Sequence, residues 1–185
     1  ENGRETQSQT PETENRFTIF PPQIILQPKQ KRMVRVTWTG PSELEKELAY
    51  RLVAEQLPVE GKKKENADGG MINVLLRYVA AIYIKPKSAQ PNLKLASVDA
   101  TAGSPPRLAL IFENTGNAHQ VLSGLHLKAG KIQLEPTDLP MMNGQNILAG
   151  HKRRFEIAWP AGVETGNDPQ AAAKQLQVSF ELENP

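Results

Sequence analysis

The run from Gly70 through Ile84, closed by Lys85-Pro86, is apolar at almost every position, and only Asn73 and Arg77 break it with strongly polar side chains. Its composition (Met, Ile, Val, Leu, Tyr, Ala) favours extended backbone. An ordinary sandwich strand is about 5–6 residues long and alternates apolar with polar positions. This run is longer and apolar on both faces: Ile72, Val74 and Leu76 share one, while Leu75, Val79, Ala81 and Tyr83 share the other. Such a strand needs apolar partners on both sides, because left at a sheet edge it would aggregate. Period alone favours a central strand buried on both faces. The alternative is a strand kept ready to pair with another protein.

The remaining pattern predicts an all-β chain of short strands punctuated by Pro, Gly and Asn. Strands are expected over Arg16–Phe20, Gln23–Leu26, Arg32–Thr39 and Leu48–Leu57, with one helical turn over Ser42–Lys46, where Ser42 and Glu45 have capping-box spacing. Residues 1–15 are polar and read as an arm or loop, and the charged run Glu60–Gly70 reads as a loop. Lys87–Asn92, bracketed by Pro86 and Pro91, has the character of a linker. Beyond it, strands are expected over Leu93–Ala100, Arg107–Asn114, His119–Lys128, Lys131–Glu135, Arg153–Trp159 and Leu176–Glu183, with a helical turn over Ala171–Lys174. The spacing suits an antiparallel sandwich. The division is therefore 1–15 arm, 16–86 first β domain, 87–92 linker and 93–185 second β domain.

Composition changes this picture little. The 185 residues carry a net charge of +2 and are 38% hydrophobic, which gives no nucleic-acid bias. Arg77 and Lys85 bound the longest apolar run below the roughly 18 residues of a membrane helix, so no membrane insertion is expected. Cysteine is absent, which excludes disulfides, thiolate metal sites and a cysteine nucleophile. His119, His126 and His151 fit no common metal spacing, and hydrogen-bonded or solvated roles are expected for them. Asp99, Glu113, Glu135 and Asp138 form no recognisable acid–base pair, and Lys62–Lys64 is a charge run balanced by Glu60, Glu65 and Asp68. No enzyme, cofactor or metal is expected.

Four segments, in order, resemble the periplasmic pilus-assembly chaperones of the chaperone–usher pathway, the PapD-like type. They are Phe17-Thr18-Ile19-Phe20-Pro21-Pro22 with Pro28 beyond it; Met33-Val34-Arg35-Val36; Glu47 with Pro58 eleven residues on; and the long strand ending Tyr83-Ile84-Lys85-Pro86. The resemblance runs over Arg16 to Pro86 and is looser beyond. It implies two immunoglobulin-like antiparallel β-sandwich domains, the first lacking its early strands in this chain. A signal peptide and those strands are then expected upstream, with the protein in the periplasm.

The resemblance also implies a mechanism. The long strand would be lent to a pilin whose own fold lacks a strand, with Ile72, Val74 and Leu76 filling the pilin's groove. The chaperone would then pass the pilin to an outer-membrane usher, and free of its client it could self-associate through the same strand. Arg35, Glu47 and Lys85 match the family's charged cluster at the domain junction, with Asp168 as a fourth partner from the second domain. The family anchors the pilin's terminal carboxylate with two basic residues. One belongs to a strand with no counterpart here, and the other falls on Ala81. Arg77 and Lys85 are the nearest basic residues on the strand. The rival expectation is a structural or adhesive protein of two such domains, with the long strand buried in its own fold.

Overall fold

A computed structural model describes residues 16–57 and 74–183. The described chain is almost entirely antiparallel β-structure. Its first four strands form two separate ribbons. β1 (Phe17–Phe20) pairs with β2 (Arg35–Trp38), and β3 (Leu48–Glu55) pairs with β4 (Arg77–Ile84). The ribbons meet through aromatic rings. Phe17 packs edge-on against Trp38 at 5.1 Å and Tyr50 at 4.9 Å between centroids. Because Tyr50 lies directly opposite Ile82, the face of β4 bearing Ile82 and Ile84 turns toward β1 and β2.

Two local expectations fail here. Residues 23–26 form no strand, and residues 42–46 form bends rather than a helical turn. Ile24, Ile25 and Leu26 follow Pro21-Pro22 and are all exposed, so no partner stabilises an extended ladder. Pro41 and the close run of Glu43, Glu45 and Glu47 leave the 42–46 segment without a packed apolar face.

The C-terminal elements close around one core. β5 (Leu93–Ala100), β6 (Arg107–Asn114) and β10 (Lys152–Ala158) make a three-stranded sheet with β6 central. Facing it, β7 (Gln120–Ala129) pairs with β11 (Gln177–Glu183) on one edge, and with β8 (Ile132–Leu134) and β9 (Gln145–Ile147) on the other. Leu108, Leu110 and Phe112 of β6 alternate inward against Leu122, Leu125 and Leu127 of β7, all fully buried. The switch from even to odd positions occurs at Gly124, whose φ of +51° places it in the left-handed region. There Gly124 and Leu125 lie between the register positions of Ser179 and Glu181, a bulge that resets which side chains face inward.

A short helix, α1 (Pro169–Lys174), covers one end of this sandwich. Asp168 caps it, accepting from the amides of Gln170 and Ala171. The helix positions Gln170, which donates to the Asp99 carboxylate and accepts from the Ala100 amide. Hydrogen bonds from Ser97 and Gln170 hold the Asp99 carboxyl below the usual carboxylate range.

Candidate functional site

β4 is unevenly buried along its length. Ile82, Tyr83 and Ile84 are half-buried, whereas Arg77 through Ala81 are exposed. Its pairing with β3 runs from Leu48–Ile84 to Glu55–Arg77, and a bond from the Gln56 amide to the Leu76 carbonyl (2.8 Å) extends it by one residue. Val74, Leu75 and Leu76 continue beyond the strand with 68%, 55% and 49% of their surface exposed. Tyr78 (67%) and Val79 (57%) are equally open. No residue from Val74 through Ile84 is buried, so the expectation of a strand enclosed on both faces does not describe this segment. Ile72, the third position expected to fill a pilin's groove, lies outside the described residues. Among the described residues, β4 has a paired edge toward β3 and no second strand on its other edge.

The charged residues singled out in sequence differ in burial. Arg77 pairs with Glu55 at 2.9 Å, both exposed, in an ion pair of the kind that contributes about 0–1 kcal/mol. Arg35 lies exposed on β2 opposite Phe20, and Lys85 is exposed just past β4. Asp168 is engaged as the cap of α1. Glu47 alone of these is buried, and its partner in the C-terminal sandwich is His119.

That contact is closely built. His119 Nδ1 lies 2.7 and 2.8 Å from the two carboxylate oxygens of Glu47, and the His119 amide donates to Oε1 at 3.3 Å. An ionised carboxylate only accepts, so opposite an ionised Glu47 the donor is Nδ1. Tyr83 stacks on the His119 ring, with centroids 4.0 Å apart and planes 26° from parallel. The Tyr83 hydroxyl accepts from the Asn146 side-chain amide at 3.1 Å. Arg153 holds β9 in place around Asn146, donating to the Asn146 carbonyl and to the Gln145 side chain.

The connector between ribbons and sandwich is docked rather than free. The turn Asn114–Asn117 bonds it repeatedly: the Asn117 amide donates to the Gln90 carbonyl, the Thr115 amide to the Asn92 carbonyl, and the Gln90 amide to Asn117 Oδ1. Asn117 Nδ2 also reaches the carbonyls of Glu45 and Ser88, while the Glu47 amide donates to the Asn117 carbonyl. Gly116 permits this approach, because a Cβ there would collide with the backbone of Gln90, Pro91 and Asn92. Asn114 is fully buried beneath the turn. Its amide group donates to the Ala118 and Ile147 carbonyls, and its oxygen accepts from the amides of Asn92 and Gly116.

Residues 1–90 match the family model of the PapD N-terminal domain, described as pili and flagellar-assembly chaperone. Over those residues, the chain carries the N-terminal domain of the PapD-like assembly chaperones. The match takes in the polar segment 1–15, which has no strand pattern of its own, as well as the four segments that carry the resemblance in sequence. Neither a curated protein nor a solved structure matches the chain. That domain assigns it to the chaperones of pilus and flagellar assembly, a family that is not an enzyme class. Sequence reading marked Glu47 and the long strand. It placed Tyr83 on the strand and expected a hydrogen-bonded or solvated His119, but not their contact with each other, and it missed Asn146. The available signal was the polar cluster Asn114-Thr115-Gly116-Asn117-Ala118-His119 set between two apolar strands, denser in hydrogen-bonding groups than a two-strand turn needs.

Proposed function

We propose that this chaperone binds one pilin subunit at a time by strand addition along β4 and the residues leading into it, and delivers it to an outer-membrane usher. The observation that carries the reading is the open apolar run Val74, Leu75, Leu76, Tyr78 and Val79 on a strand that, among the described residues, is paired along one edge. An incomplete pilin sheet would gain main-chain hydrogen bonds along the free edge. Ile72, Val74 and Leu76 would fill its groove, each buried side chain contributing about 1.5–3 kcal/mol. Arg77 and Lys85 are the basic residues proposed to meet the pilin's terminal carboxylate; Arg77 would exchange the Glu55 carboxylate for that of the client. Free of client, the same strand would self-associate. The reaction takes place in the periplasm and uses no cofactor.

The test is co-purification of the chaperone with candidate pilins, comparing the unaltered chain with Val74→Glu. Strand addition predicts a folded one-to-one complex that the substitution abolishes, since a carboxylate cannot enter an apolar groove without a partner. Equal retention of a pilin by both proteins would remove β4 from the contact.

A further inference from the structure

We propose that His119 is the positioning residue that fixes the β3–β4 ribbon against the C-terminal sandwich, gripping both strands of the ribbon at one point. Two chemically different contacts converge on its ring. The nitrogen edge engages Glu47, which precedes β3, and the face stacks on Tyr83, near the end of β4. These two partners are neighbours across the ribbon, because Leu48 pairs with Ile84 and Ala49 with Tyr83. One side chain therefore constrains the ends of both strands. Asn146 on β9 holds the Tyr83 hydroxyl, so Tyr83 is fixed to the sandwich at its face and at its tip.

Burial decides why this contact outweighs the surface charges nearby. The His119 and Glu47 side chains are 6% and 1% exposed, so salt screens their interaction little. By contrast, Lys87 reaches Glu43 at 3.5 Å with both side chains more than four-fifths exposed, a geometry that contributes little. Arg35 and Lys85 are exposed as well. The β3–β4 ribbon is thus held to the sandwich by a buried histidine, a carboxylate and a stacked phenol. This role is independent of what binds β4.

The absence of cysteine allows site-specific spin labels at Ala54→Cys on β3 and Lys131→Cys in the turn after β7, with dipolar spectroscopy reading the distance between them in the full chain. The expected result is one narrow distance distribution that persists at about 1 M salt, where the screening length falls to about 3 Å. It also persists in the double substitution Arg35→Ala with Lys85→Ala. His119→Ala broadens or shifts the distribution, and Tyr83→Leu, which removes the stack and leaves the Glu47 contact, does so to a smaller extent. His119→Asn restores a donor toward Glu47 and recovers part of the narrowing. If His119→Ala fails to fold, Tyr83→Leu alone carries the test. An unchanged distribution in both His119→Ala and Tyr83→Leu, or broadening by Arg35→Ala with Lys85→Ala as large as theirs, overturns the proposal.

Discussion

In the C-terminal sandwich, Leu108, Leu110 and Phe112 of β6 lie inside a shell formed by β7, β9, β10 and α1, and every one of them is fully buried. In the N-terminal half, the buried residues among those described are Glu47 and Pro86, both at the junction. Apolar side chains that would be core in the sandwich, such as Val74, Tyr78 and Val79, face outward there. Burying a side chain of this size contributes about 1.5–3 kcal/mol, so the ribbons leave apolar surface uncovered that the sandwich has already covered. The difference teaches where function sits in an assembly chaperone. The sandwich buries its own core, and the surface proposed to act on a client lies on the half with open apolar strands.

This contrast can be broken most sharply by paired substitutions. Phe112→Ala removes a fully buried ring that packs against Phe155 and Phe180, and should cost about 3–5 kcal/mol of stability in denaturant unfolding. Val79→Ala, at a side chain 57% exposed, should shift the same transition by less than about 0.5 kcal/mol. Equal costs at the two sites would mean that the ribbons are packed as firmly as the sandwich.

A smaller effect sharpens the comparison through pH. The Asp99 carboxyl lies below its ordinary value in the folded chain, first because Ser97 donates to it and then because Gln170 does. A depressed carboxyl contributes stability that is present above its unfolded value, about 3.9, and is lost as pH falls through the lower folded value. Asp99→Asn should therefore flatten the acid side of the sandwich's stability profile, measured by thermal unfolding of the two proteins from neutral pH downward. An acid limb unchanged by the substitution would mean that Asp99 does not contribute to it.

The sequence was most legible where alternation and punctuation agree. β5 and β6 begin and end where the pattern places them, because Pro91-Asn92, Pro105-Pro106 and Asn114 bound clean apolar alternation. β9 was missed, since Gln145-Asn146-Ile147 is three residues long and mostly polar, and it is a strand only because β7 offers an edge. The Ser42–Lys46 turn and the Gln23–Leu26 strand rested on local spacing without a packed face to hold them. At the site, Glu47 and the long strand could be singled out from their own neighbourhoods. The partner of Glu47 could not, because His119 lies 72 residues away and reaches it only once the turn 114–117 has docked against the connector. Beside Glu47 the fold supplies an imidazole, together with a stacked phenol that no charge pattern would reveal.

The measurement that bears most directly on the account is hydrogen exchange along residues 74–84, with and without a pilin subunit bound. Strand addition predicts that amides on the free edge of β4, and those of Val74–Leu76 beyond it, become strongly protected in the complex, while β6 and β7 change little. A bound pilin that leaves exchange in 74–84 as fast as in the free chain would contradict the claim that this strand is lent to the client.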